Sequence, residues 1–310
     1  MTRLGLFSFV AACSFTAATT MAQVDLRHNF DRADEYVVET INVIEQTLEI
    51  AGMEVETAVE QTARSRYRQG KRDGEGNSLV QLTMESLQAT MELGAGLSIN
   101  FDSNVDEQEA DNPLLAPLVD SLKIASKLDI TFTISPKGKV LAVDGSQKTL
   151  DAASPQTRQL LQQQLGDEAI KRDMQQEIDA RPNRNVEEGD FWDQTVIAAL
   201  GQGQVLTFGR RYEYVGSVES DGKMLHKIRF EDTDVDFSIE PGATVPLSIK
   251  ESDLKIESSE GEILVDPESG RDVATRLKTR IVGSLLFVAG GQELPAELDL
   301  TIEVRATEIK

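Results

Sequence analysis

Few side chains in this chain stand in patterns that do chemistry. Glu187-Glu188-Gly189-Asp190 runs directly into Phe191-Trp192. Paired carboxylates beside an aromatic are the equipment of glycoside hydrolysis, where one acid protonates the leaving oxygen and the other attacks or activates water. The plainer expectation is a turn entering a strand whose aromatics anchor the core. Asp232, Asp234 and Asp236 alternate behind Glu231, a spacing superficially like the start of a calcium loop. Such a loop needs glycine at its sixth position and glutamate at its twelfth. Phe237 and Ala243 stand there instead. Alternating acids more simply form the solvent face of a strand. Imidazole chemistry has two candidates, His28 and His226. His28 lies in a polar stretch near the expected mature start and is expected to fray. His226 follows an Asp-Gly turn and reads as an ordinary hairpin residue. No G-x-S-x-G elbow, G-x-x-x-x-G-K-[ST] loop or H-E-x-x-H pair occurs.

Composition narrows the classes further. The 310 residues carry 31 Lys+Arg against 53 Asp+Glu, a formal charge of −22. Nucleic-acid binding, whose phosphates need a basic surface, and docking on anionic lipid both require the opposite sign, so no nucleic-acid partner is expected. One cysteine excludes an internal disulfide and a cysteine-based zinc cluster. Aromatics are scarce, with 11 Phe, 4 Tyr and 1 Trp, a thin supply of platforms for sugars. No cofactor and no metal are expected.

Residues 1–22 read as a signal peptide. Arg3 supplies the positive start, Leu4 to Ala18 form an uncharged apolar stretch, and Thr20-Met21-Ala22 ends in small residues. A competing reading takes Val10-Ala11-Ala12-Cys13 as a lipobox that would anchor the chain at Cys13. Cleavage after Ala22 removes Arg3 and no acid, leaving a cysteine-free exported chain. The mature chain is expected to carry no integral membrane span.

Behind the leader, period-two alternation dominates. Met53, Val55, Thr57 and Val59 alternate with glutamates, and Tyr36 to Ile50 is rich in β-branched residues. The phase shifts between Met84 and Leu87, predicting a bulge. Asp106 to Asp111 form an acidic loop. Asn112-Pro113 opens a short helix with Leu114, Leu115, Leu118, Val119 and Leu122 on one face. Ser154-Pro155 opens a longer helical stretch that breaks at Gly166-Asp167, after which Ile170, Met174 and Ile178 recur every four residues. Asp-Gly at 221–222 and Ser259-Glu260-Gly261 read as hairpin turns, and Pro241 and Pro246 bound a loop. The expected architecture is mainly β, one large curved antiparallel sheet or half-barrel with amphipathic helices on one face. Residues 23–310 read as a single domain. A faint echo between 138–144 and 261–266 raises the alternative of two similar halves, about 29–180 and 186–309.

The order of six stretches resembles an exported bacterial family known only as a domain of unknown function. They are Ile50–Glu56, Leu82-Thr83-Met84, Ile99–Ser103, Ile134–Gly145, Val186–Trp192 and Gly261–Arg271. The resemblance implies a fold like the half-barrel of the periplasmic lipoprotein carriers (LolA-like), and it supplies no catalytic residues. The preferred reading is an exported, non-enzymatic protein that binds an apolar partner, a lipid or lipoprotein acyl chain, on the concave face. Its expected lining is Val55, Val59, Leu82, Met84, Leu114, Leu118, Leu122, Ile130, Phe132 and Ile134. Two readings stay open beside it: an envelope scaffold with a filled core, and a carboxylate-dependent hydrolase using Glu187, Glu188 and Asp190.

Overall fold

The computed structural model describes residues 23–105, 108–110, 112–201, 203–239 and 247–309. The expected signal peptide, Cys13, both loop prolines and part of the 106–111 acidic loop lie outside these residues. The strands are β1 (Val24–Asp25), β2 (Asp34–Ile50), β3 (Met53–Arg72), β4 (Ser78–Glu92), β5 (Ser98–Asp102), β6 (Asp129–Ile134) and β7 (Val140–Asp144). After the helices come β8 (Asn185–Val186), β9 (Phe191–Gly201), β10 (Gln204–Ser220), β11 (Lys223–Ile239), β12 (Ser248–Val265), β13 (Asp272–Ala289) and β14 (Gln292–Ile309). The helices are α1 (Ala116–Ala125), α2 (Ser146–Asp151), α3 (Pro155–Leu165) and α4 (Asp167–Asp179). Ser154 caps α3 by accepting from the Thr157 amide at 3.2 Å.

The fold is mainly β. One antiparallel sheet runs β7-β6-β4-β3-β2-β14-β13-β12-β11-β10-β9, with β5 added to β4, and β1 pairs separately with β8. Its two edges, β7 and β9, meet the same helix. On α4, Gln175 Oε1 accepts from the Val140 amide of β7 at 2.9 Å. The next residue, Gln176, accepts from the Ile197 amide of β9 at 2.6 Å and donates to the Ile197 carbonyl at 3.1 Å. Adjacent glutamines thus satisfy backbone groups on opposite edges, which otherwise invite pairing with another chain. The sheet is therefore an open barrel closed by a helix.

Strand register assigns the inner face. Ile44, Leu48 and Ile50 on β2 stand opposite Val59, Val55 and Met53 on β3, and Ile44 opposite Ile302 on β14. Three caps fill parts of that face. Ile170, Met174 and Ile178 of α4 pack on Val80, Ile130, Phe132, Ile134 and Val140. Leu115, Val119 and Leu122 pack on Leu87, Ala89, Ile99 and Phe101. The third cap is the sheet itself. β11 pairs with β12 only from His226 to Phe230. Beyond that fork the strands part, and β9–β11 lean across the inner face. There Leu206, Phe208 and Phe237 pack against Ile281, Leu285 and Phe287, with Phe237 edge-on to Phe287 at 6.2 Å.

The bulge expected near Met84 is present, as a register shift between Arg64 and Ser65 opposite Ser86 and Met84. Three expectations are corrected. Ser259-Glu260-Gly261 is no turn, because β12 runs through it unbroken. Gly261 is required because the Phe230 ring lies over it: a Cβ would meet Cε2 at 2.3 Å. Gly261→Val is expected to destabilise the fold by about 1–3 kcal/mol through overpacking. A lower urea midpoint at unchanged m would show it. Second, Leu114 is 80% exposed, because Asn112 begins a 3-10 turn, Pro113–Leu115, that leaves only Leu115 of its leucines buried. Third, the three alternating acids do not share a solvent face. A register shift beside Gly209/Arg210 leaves Thr233 unpaired and reverses the alternation. Asp232 points inward and is buried, while Asp234 and Asp236 point out.

Candidate functional site

The ten residues expected to line a ligand fall into three groups. Ile130, Phe132, Ile134 and Leu122 are buried in helix–sheet cores, and Leu82, Met84 and Leu118 pack half-buried against them. Helices cover these positions, so they fill the interior and line none of the three cavities described below. Leu114 stands in solvent. Val55 and Val59 remain on the inner face beyond the caps. Val55 is 41% exposed, its neighbour Met53 68%, and Val59 half-buried.

The carboxylates before Trp192 build a turn. Asp190 accepts from Arg184 at 2.8 Å and from the Glu187 amide at 3.1 Å, and its backbone binds Glu187 and Tyr214. The Arg184 pairing holds the Asp190 carboxyl below its ordinary value. Trp192 stacks on Tyr212 at 5.6 Å and donates Nε1–H to the Ala180 carbonyl at 3.1 Å. Phe191 departs from the expected anchoring role: it is 62% exposed, 5.5 Å from the Arg211 guanidinium. His226 is an ordinary hairpin residue, with Nδ1 2.9 Å from the Tyr214 hydroxyl.

A site missed in the sequence lies where the N-terminal segment crosses the barrel. His28 is held there rather than frayed. The β1–β8 pair ties down Val24 and Asp25, and Leu26 is buried beside Val186 and Tyr212. Arg181, just beyond α4, clamps the segment: Nη1 donates to the carbonyls of Leu26 at 3.0 Å and Gly270 at 2.7 Å, and Nη2 bonds Asp272. The available signal was the alternation Leu26, His28, Phe30, which places three bulky rings and chains on one side.

This crossing encloses a cavity of about 230 Å³. His28, Phe30, Tyr36, Tyr67, Met174 and Glu177 form much of its wall. Tyr36 and Tyr67, cross-strand partners on β2 and β3, stack with centroids 5.2 Å apart. The Arg271 guanidinium sits 4.6 Å over Tyr36, and Asp34 and Glu308 both bind it. Glu177 is exposed, on the wall of a cavity that is itself partly open. Its carboxyl is pushed up to about 7, by desolvation first and the Asp272 charge second, while Arg181 pulls it down. His28 is driven the other way, well below its ordinary value, by desolvation and then by Arg181. Its Nε2 is buried with no hydrogen-bond partner. The wall therefore carries a carboxyl raised from its ordinary value beside an imidazole lowered from its own.

The Glu177 carboxyl makes stability pH-dependent. Its folded pKa stands above the unfolded value, so the native state keeps a proton that the unfolded chain releases. That contribution is complete below about pH 4.5 and is lost as the pH rises to about 7. Glu177→Gln is expected to gain on the parent by about 1–2 kcal/mol between pH 5 and 8, allowing for water in the cavity. Urea midpoints across that range test it, and parallel curves for the two proteins would contradict it.

Two further concavities are polar. A groove of about 980 Å³ crosses the outer face of β10–β14 and interleaves Arg211, Lys227 and Arg229 with Glu213, Glu260 and Glu262. Lys227 pairs with Glu262 at 2.7 Å and Arg229 with Glu213 at 2.5 Å. The other, about 630 Å³, lies outside the N-terminal crossing among Arg27, Lys137, Lys139 and Asp179. Among the described residues no helix is long and apolar enough to cross a membrane.

Residues 75–213 match the model of a family of unknown function (DUF6263). The match bears out the expected resemblance and spans four of its six stretches, leaving Ile50–Glu56 and Gly261–Arg271 outside. No curated protein matches the chain. Among solved structures, lipovitellin, described for its lipid–protein interactions, aligns at 8% identity and TM-score 0.46, over 91% of this chain. This chain spans only 26% of the lipovitellin chain. A putative outer membrane lipoprotein-sorting protein domain from Vibrio parahaemolyticus aligns at 9% identity and TM-score 0.16, covering 89% of this chain and 85% of its own.

Proposed function

We propose that the protein is an exported carrier that binds a single apolar chain, of a lipid or lipoprotein, on the inner face at the β2–β3 hairpin. The observation that carries this reading is an inward-facing apolar row that runs out past the caps. Ile44, Leu48 and Ile50 pack half-buried against the core, while their direct partners Val59, Val55 and Met53 grow progressively exposed toward the turn. Inner-face apolar surface left open beside a packed core is what a ligand would cover. The residues 1–22 reading as a leader, and the charge that keeps such a protein in solution, support the same view.

The test is a fluorescent fatty-acyl probe, with native mass spectrometry of protein expressed in an exporting host. Saturable probe binding is expected, weakened at least tenfold by the double substitution Met53→Asp and Val55→Asp. Both side chains are exposed, so that variant should fold. Absence of co-purified lipid together with no probe binding would overturn the reading. The filled core around Phe237 and Phe287 would then favour a scaffold role.

A further inference from the structure

We propose that the inner face of β2 and β3 selects an amphiphile whose acyl chain is joined to an uncharged head through an amide or ester, with Asn42 and Gln61 holding that linkage. This rests on the acyl-chain reading and names the chemistry of its ligand.

Two observations carry it. The first is what this face leaves out. From Tyr36 along β2 to the turn, and back along β3 to Tyr67, no inward side chain is charged. The outward positions of the same stretch include Glu45, Glu49, Glu54 and Glu56. None of the inward residues is fully buried, because the caps rest on the strands to either side: α4 and α1 on β4–β7, and β9–β11 on β13 and β14. Charge returns only at the far end, where Glu308, opposite Val38, binds Arg271. Val38 lies about 13 Å along β2 from Asn42.

The second is what stands in the gap. Asn42 and Gln61 are direct cross-strand partners, and Gln46 faces Thr57 on the turn side of Ile44 and Val59. Among the described residues none of these four polar side chains makes a hydrogen bond, yet none of their polar atoms is sealed from solvent. Asparagine is depleted in strands, and here it stands in the middle of one. Each amide offers two N–H donors and a carbonyl acceptor. Opposed side chains leave the sheet ~5 Å apart, so one linkage can engage both. An ester or amide carbonyl accepts from them, and an amide N–H or a glyceryl hydroxyl donates back. An ionised head finds no counter-charge on this face, and stripping its water costs far more than for a neutral group. The tail then runs over Ile44 and Val59 toward Val55 and Met53, about 26 Å from the amide pair to the turn.

The measurement is displacement of the fluorescent acyl probe from the full exported chain at pH 8. The competitors share one tail and differ in the head: dodecanamide, monolauroylglycerol, laurate and dodecyltrimethylammonium, each below its micelle concentration. The two uncharged ligands are expected to bind at least tenfold more tightly than either ion. The double substitution Asn42→Leu and Gln61→Leu keeps similar volume at half-buried positions. It should weaken dodecanamide and the glyceride about tenfold and leave laurate unchanged. The side-chain amide resonances of Asn42 and Gln61 in the parent should shift on saturation with dodecanamide, a readout that needs no variant. Resonances that stay in place would overturn the proposal. Laurate binding as tightly as dodecanamide would overturn it too, and would leave the acyl-chain reading standing. So would an equal loss for all four ligands in the double variant. Binding of none of the four, with no binding of the probe itself, would remove both readings.

Discussion

Asp232→Ala is expected to destabilise the fold by about 3–5 kcal/mol, the cost of stranding a buried charge. Asp232 has a side chain only 1% exposed and is the centre of a polar network at the fork between β11 and β12. Its Oδ1 accepts from Arg210 Nε at 2.6 Å, and its Oδ2 from Thr279 Oγ1 at 2.8 Å. Ser259 Oγ accepts from the Asp232 amide at 2.8 Å and lies 2.9 Å from Thr279 Oγ1. Removing the carboxylate leaves Arg210 buried over the Phe230 ring, 4.8 Å from its centroid, without its counterion. The fork is where the sheet stops being one layer, so the loss should spread into the Phe237–Phe287 core. Asp236→Ala, two turns of the alternation further on and exposed, should cost less than ~0.5 kcal/mol. Urea denaturation of both variants tests the contrast. Equal effects would mean that the acids share one face after all.

That contrast marks where the sequence could be read and where it could not. Strand alternation, the bulge near Met84 and the helix break at Gly166 depend on neighbours a few residues away, and all were legible. The inward turn of Asp232 depends on pairing with β10, where Gly209 and Arg210 take partners two residues apart on β11. Gly261 looked like a turn because its reason, the Phe230 ring, lies on another strand. Alternation also placed Ile130, Phe132 and Ile134 on an inner face correctly, but only the path of α4 decides that the face is filled there. The cavity was the least legible feature. Its His28, Glu177 and Asp272 come from three distant parts of the chain, and one arginine brings them together.

Arg181→Met tests that dependence. Its side chain is 1% exposed, and it joins the N-terminal crossing, the loop before β13 and Asp272. Methionine fills similar space but leaves the Leu26 and Gly270 carbonyls without their donor and Asp272 without its cation. A loss of about 3–5 kcal/mol is expected at neutral pH. The sign with pH follows from the same contact. Arg181 pulls the Glu177 carboxyl down, so without it that carboxyl titrates above about 7, and the stability lost on raising the pH extends into the alkaline range. Arg181 also disfavours the charged His28 ring, so its removal should let His28 accept a proton at higher pH than in the parent. Adding Asp272→Asn should recover part of the loss, with a coupling of about 1–3 kcal/mol between the two sites. A structural role confined to packing would give no such recovery. Trypsin supplies an independent readout. Arg27 lies within the clamped segment, and cleavage after it requires that segment to leave the barrel. Arg181→Met should be cut there much faster than the parent under conditions where both remain folded. Equal cutting rates would show that the crossing is held by Leu26 and β1 alone.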